Sequence, residues 1–178
     1  AAYDYCIQSL GCTAEAAGKA ERGLLPNIAE SLTQTKIDCV CDWLQSSLDL
    51  SDAELKKVVL TFPPLLGYSV EDNFSPRLDW LQMRLDLDDA GLRMVVLRKP
   101  QVLAYSVEDK MAPTLDWLQL RLDLDVGQLR KILLGPAVLG LSVEDNMAPK
   151  LDWLQTRLDL DDAGLRKMVV AFPPLLGL

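Results

Sequence analysis

An all-α helical repeat is the fold this sequence predicts, and three observations predict it. The tetrad Asp-Trp-Leu-Gln occurs four times, with Trp43, Trp80, Trp117 and Trp153 spaced 37, 37 and 36 residues apart. Around each copy the apolar residues fall on one helical face, as Leu78, Leu81 and Leu85 do at i, i+3 and i+7. No stretch sustains the period-two alternation of a half-buried strand. A fixed period of this length signals an array in which each unit buries its apolar face against the next. The expected architecture is a superhelical α-solenoid of about four units over residues 34–178, each unit two helices plus a Pro-led short turn or helix. Residues 1–33 lack the repeat and read as a separate helical N-terminal segment, punctuated by Gly18, Gly23 and Pro26.

Each element has a local reason. Pro76, Pro113 and Pro149 stand just before the first-helix leucines, where a missing N–H costs nothing. Ser75 is the cap expected for that helix, whereas Ala112 and Ala148 cap poorly. Asp86 and Asp88 precede a second helix whose stripe is Leu92, Val95 and Val96, and Pro100 ends it. The Phe-Pro-Pro-Leu-Leu-Gly segments at Phe62 and Phe172, with looser versions at Pro100 and Pro136, read as tight Pro-led turns. Ser69, Ser106 and Ser142 open the next unit with a Ser-Val-Glu-Asp run resembling a capping signal. The first unit is degenerate: Cys41 falls where Leu78, Leu115 and Leu151 sit, and Cys39 where the prolines sit.

Composition excludes more than it assigns. Apolar residues make up 49% of 178 residues and charged residues 25%, which describes neither a disordered tail nor a membrane protein in bulk. There is no apolar run long enough for a transmembrane helix; peripheral association with a membrane complex stays open. Histidine is absent, which removes Ser-His and Cys-His catalysis and His-ligated metals. No nucleophile elbow, phosphate loop or dinucleotide-binding glycine pattern occurs, so no catalytic residue, cofactor or metal is expected and the chain reads as a non-enzyme. Asp86-x-Asp88 with Gly91 has the opening of a calcium loop, but Ala90 and Leu97 occupy ligand positions. Cys6, Cys12, Cys39 and Cys41 lack the paired spacing of a zinc site. They read as small buried thiols, with a disulfide tying the N-terminal segment to the first repeat as the rival reading.

The charges form rows. Arg84, Arg121 and Arg157 stand four residues after Trp80, Trp117 and Trp153; Lys56, Arg93, Arg130 and Arg166 stand thirteen after each Trp, and Lys57, Lys131 and Lys167 fourteen after, with Met94 breaking that row. Rows of cations along an array could track a phosphate backbone; the rival is a solvated face with i,i+4 partners such as Asp89 with Arg93. Acidic rows are denser, among them Asp42, Asp79, Asp116 and Asp152 before each Trp, and Asp49, Asp86, Asp123 and Asp159 after it. Many read as carboxylates at helix starts. The net charge is −8, and residues 1–68 and 69–178 each carry −4, so no basic half exists to hold nucleic acid. The four tryptophans read as repeat core, packing unit against unit, rather than as stacking platforms.

The order P-x-L-D-W-L, L-R-K-M-V-V, then F-P-P-L-L-G, resembles the mitochondrial transcription termination factor family, mTERF, over residues 34–178. The resemblance implies an α-solenoid of triangular three-helix units in a mitochondrial or plastid protein, after removal of a targeting peptide. It further implies a concave basic face gripping double-stranded nucleic acid, or sometimes organellar RNA. Two features depart from that pattern: the acidity, and the count of about four units. The chain begins Ala-Ala-Tyr without a leader and stops where a next unit would open, so a partner is expected to cover the apolar end unless the sequence continues. The function expected is therefore an interaction scaffold, one subunit among other protein subunits of a larger organellar assembly such as a photosynthetic complex or ribosome-like particle. The alternative is a double-stranded nucleic-acid binder regulating organellar transcription or translation, with Arg84, Arg121, Arg157, Arg93, Arg130 and Arg166 as its contacts.

Overall fold

A computed structural model describes residues 1–24, 26–134 and 138–177; the turn expected at Pro136 lies outside the described residues. Among those residues the chain is all α, a helical-repeat solenoid with no strand. The N-terminal segment forms α1 (Ala2–Gln8), α2 (Ala14–Arg22) and α3 (Pro26–Ser31). The first helices of the four repeats are α4 (Gln34–Leu48), α6 (Ser75–Leu85), α8 (Ala112–Leu122) and α10 (Ala148–Arg157). Their second helices are α5 (Asp52–Thr61), α7 (Asp89–Arg98), α9 (Val126–Leu134) and α11 (Asp162–Ala171). Short 3₁₀ turns follow the second helices at Pro63–Gly67, Pro100–Ala104, Val138–Gly140 and Pro173–Gly177.

Entry to the first helix differs from the expectation. Ser75 does not cap α6; it lies inside the helical run. The cap is Ser69, whose hydroxyl accepts the Asp72 N–H at 3.1 Å, and Ser106 and Ser142 do the same for Asp109 and Asp145. Each serine opens one wide π turn, closed by Phe74, Met111 or Met147 donating to the serine carbonyl at 3.3, 3.0 and 3.1 Å. The prolines explain it. Pro76, Pro113 and Pro149 have no N–H to give, and their rings crowd the carbonyl one turn back. A π turn just upstream widens the backbone there and lets the helix run on.

Exit from the first helix also corrects the reading. Asp49, Asp86, Asp123 and Asp159 do not start second helices; they end first ones, in the left-handed region at φ of 50°, 48°, 50° and 50°. The next amide reaches back to the glutamine of the tetrad, Leu50 to Gln45, Leu87 to Gln82, Leu124 to Gln119 and Leu160 to Gln155. That bond closes the carbonyls the helix end leaves free, and aspartate is one of the few side chains that tolerates the conformation. The N-caps of the second helices are Ser51, Asp88, Asp125 and Asp161, which accept from Glu54, Gly91, Gln128 and Gly164.

Contacts divide the chain into two compact parts: Ala1–Asp79 with Asp88–Ala104, and Trp80–Leu87 with Tyr105–Leu178. In the first, α1 packs on α2 and α4, α2 on α5, and α7 on both α4 and α5. Its core holds Cys6, Ala17, Ile37, Cys41, Leu44, Val58, Leu65 and Phe74, so Cys41 does occupy a core leucine position. Gly67 allows α3 to close on the first 3₁₀ turn, because a Cβ there would collide with Ile28. In the second part, α11 packs on α8, α9 and α10 around Leu81, Leu85, Met111, Leu118, Ile132, Met147, Leu151, Leu165 and Leu176.

Leucine does the work expected of tryptophan. Trp43, Trp80 and Trp117 are half-buried and Trp153 is exposed, one step off a fully buried leucine stripe. Trp43 lies 5.7 Å from the Phe74 ring, so it lids the core rather than filling it. Repeat position controls burial sharply: Leu122 is 2% exposed and its equivalent Leu158 is 50% exposed. Leu122→Ala is therefore expected to cost about 2–5 kcal/mol in urea unfolding, and Leu158→Ala less than about 1 kcal/mol.

Candidate functional site

The two arginine rows are the candidate site the sequence offered, and five of their six side chains bond across repeats. Arg84 of α6 crosses to the next repeat and donates to the Asp116 carboxylate at 2.8 Å and the Gln119 amide oxygen at 2.7 Å. Arg121 of α8 repeats the contact one period on, with Asp152 at 2.9 Å and Gln155 at 2.8 Å. The acceptors are the first and last residues of the Asp-Trp-Leu-Gln tetrad. The third and fourth tetrads are thus the acceptor halves of joints between consecutive repeats, and the arginines four residues after Trp80 and Trp117 are the donor halves; the first repeat carries Ser47 at the donor position. A guanidinium fork against a carboxylate and an amide oxygen fixes direction as well as distance.

The second row points backward along the chain. Arg130 donates to the Asp86 carbonyl at 2.6 Å, and Arg166 to the Asp123 carbonyl at 2.9 Å and to its carboxylate. Those carbonyls belong to the left-handed aspartates that end the first helices, so the row holds the exit of each preceding helix. Arg93 instead meets the Glu54 carboxylate at 2.6 Å. Arg93 and Arg166 thus make bonds that span a whole repeat.

A third set of cations holds the second, third and fourth repeats to their own closing turns. Arg77 donates to the Leu103 carbonyl, Lys110 to Leu141 at 2.7 Å and Lys150 to Leu176 at 3.0 Å. In the third repeat the position of Arg77 and Lys150 is taken by buried Thr114, and Lys110 supplies the cation from one turn earlier. Lys56 reaches the N-terminal segment at the Gly11 carbonyl, 2.7 Å away.

Arg157 alone among the six candidates makes no ion pair or hydrogen bond with the described residues, and it is exposed. Lys57, Lys131 and Lys167 are exposed as well, and Lys131 and Lys167 line a groove with Gln128, Arg166, Val170 and Ala171. Apolar side chains stand out at Met83 and Leu120, three residues after their tryptophans.

All four cysteines are free thiols. Cys6, Cys12 and Cys41 are buried and Cys39 is exposed, on a groove of about 350 Å³ with Lys36, Val40, Tyr68 and Val70. Burial pushes the Cys6 and Cys41 thiols up to about 11, which keeps them protonated and unreactive. Burial also raises Tyr5. Hydrogen bonds from the Ser51 backbone and hydroxyl, then from Arg93, hold the Glu54 carboxylate down at about 2. No group of three or more Asp, Glu or Cys among the described residues has the geometry of a metal site, and no described helix is long and apolar enough to cross a membrane.

Comparison with known proteins gives one family. The mTERF family model matches residues 3–178, so the similarity runs through the N-terminal segment that the repeat motifs left outside it. No curated protein matches the chain.

Two outcomes follow from this geometry. Arg130→Ala is expected to lower Tm by about 2–4 °C, from a lost charge-assisted bond of about 1 kcal/mol, whereas Arg157→Ala leaves Tm unchanged. Because Glu54 titrates lower in the folded protein than in the unfolded chain, its contribution is present at neutral pH and lost as pH falls toward about 2. The stability gap between the unaltered protein and Glu54→Gln should therefore shrink between about pH 5 and pH 2 in urea titrations.

Proposed function

Since the chain belongs to the mTERF family, whose members are organellar, non-enzymatic helical-repeat proteins associated with nucleic acid, we propose that it acts there as an interaction scaffold, a protein-binding subunit of a larger assembly. One observation carries this reading. Five of the six arginines positioned to track a phosphate backbone are already bonded to aspartate, glutamate, glutamine or backbone carbonyls of neighbouring repeats. Freeing each for a phosphate would break a joint of the array. The net charge of −8 adds a long-range repulsion that a polyanion would have to overcome. The apolar side chains at Met83, Leu120 and Trp153 supply the surface a protein partner requires.

The family's association with nucleic acid supports a second reading, and the Lys131–Lys167 groove gives it a location. On that reading the lysines one place beyond the bonded arginines meet the phosphates, and the protein regulates organellar transcription or translation.

Sedimentation of the endogenous protein in organelle extract, with and without nuclease, separates the two. The scaffold reading expects a particle far larger than 19.8 kDa that keeps its size after nuclease. Collapse on nuclease treatment points to the nucleic-acid reading or to a ribosome-like host, and a particle no larger than the chain itself overturns the scaffold reading. So does salt-dependent duplex binding by the purified chain that Lys131→Ala with Lys167→Ala abolishes.

A further inference from the structure

Two apolar side chains stand in water where the fold does not ask for them. Met83 and Leu120, three residues after Trp80 and Trp117, are 78% and 83% exposed. The same place in the first and fourth repeats holds Ser46 and Thr156, so packing makes no apolar demand there. Both residues lie in repeats that have another repeat before and after them, so their exposure does not come from an end of the array. They flank one joint: Met83 precedes Arg84 and Leu120 follows Gln119, the donor and acceptor of a 2.7 Å bond. Beside Leu120 lies a hollow of about 430 Å³ lined by Asp116, Gln119, Leu120, Asp123 and Leu124, which are spaced as one stripe of a helix. Leu120 thus has a carboxylate one turn to either side, and Met83 has Asp86 one turn on. Arg84 takes one oxygen of Asp116 and Arg166 one of Asp123, and the two aspartates remain 58% and 92% exposed, so each keeps an oxygen for a further donor. Asp86 is exposed, and Arg130 takes only its carbonyl.

We propose that this face docks a cationic amphipathic helix of a partner protein, its apolar residues on Met83 and Leu120 and its arginines or lysines on Asp116 and Asp123. The two aspartates stand seven residues apart, about two helical turns, so the partner carries cations at that spacing with an apolar residue between them. Charge complementarity selects this occupant. A second copy laid face to face would set aspartate against aspartate, and a phosphate-bearing surface would meet the same carboxylates. Burial of Met83 and Leu120 supplies affinity, and the carboxylates fix the register.

This inference rests on the protein-binding reading and names a surface and a partner chemistry for it. The test titrates the complete 178-residue chain with a stapled helical peptide bearing arginines seven residues apart and leucines on the same stripe, followed by calorimetry. Saturable binding is expected, weakened about tenfold by Met83→Ser with Leu120→Thr in the chain, and lost when glutamates replace the peptide's arginines. The two substitutions install the residues of the first and fourth repeats, and an unchanged thermal melt verifies the fold. No binding at millimolar peptide, equal affinity for the double variant, or equal affinity of the glutamate peptide overturns the proposal. Dimerisation of the chain that the double variant loses would overturn it in favour of a second copy, and binding to phosphatidylglycerol vesicles that the variant loses would overturn it in favour of a lipid surface. In organelle extract the double variant should leave the large particle. A nuclease-resistant particle that retains the variant defeats this surface and leaves the scaffold reading standing. A particle no larger than the chain itself defeats the scaffold reading while leaving the peptide result standing.

Discussion

A helical repeat of this size has no core of its own, and everything else in the structure answers that constraint. Two helices and a turn cannot enclose a leucine, so each repeat depends on its neighbour to remove apolar surface from water. Hydrophobic burial supplies the energy but no direction. Direction comes from guanidinium groups that fit one carboxylate and one amide oxygen at one offset. Arg84 with Asp116 and Gln119, and Arg121 with Asp152 and Gln155, impose the same register twice. The aspartates and arginines that look like opposed charge fields in the sequence are largely the two halves of these joints.

The Asp-Trp-Leu-Gln tetrad concentrates that demand into four residues. Its leucine is buried, and in the first copy its tryptophan lids the core against Phe74. The glutamine carbonyl accepts the amide beyond the left-handed aspartate, closing the helix. Its side chain then ties the first helix to the second, as Gln45 does to Asp52 at 2.8 Å and Gln155 to Asp162 at 2.9 Å. In Gln155 the amide oxygen also receives Arg121, so one side chain serves a turn, a helix pair and a repeat joint. Such multiple use accounts for the aspartate and glutamine of the third and fourth copies without invoking a ligand.

Much of the fold was legible because it is local. Period, leucine spacing, Pro-led turns and the serine signals each depend on residues within about one turn. The π turns were not legible, since the cost of a proline ring against a carbonyl appears only once the chain is coiled. Aspartate at φ near 50° was hidden too, because the same residue type also caps helix starts. The arginine rows were visible and their role was not. A row and its partner row differ by most of a repeat in sequence, and only packing brings Arg121 to Asp152. One signal was available: acidic and basic rows share a single period, as the two sides of a repeated joint must.

The central claim is that these arginines hold repeat to repeat. A double-mutant cycle on Arg121 and Asp152, read by urea unfolding, tests it most directly. The account predicts a favourable coupling of about 0.5–1.5 kcal/mol, with the double variant less destabilised than the sum of the singles. Additive effects, with Arg121→Ala leaving stability unchanged, would contradict it and return the row to a role outside the fold.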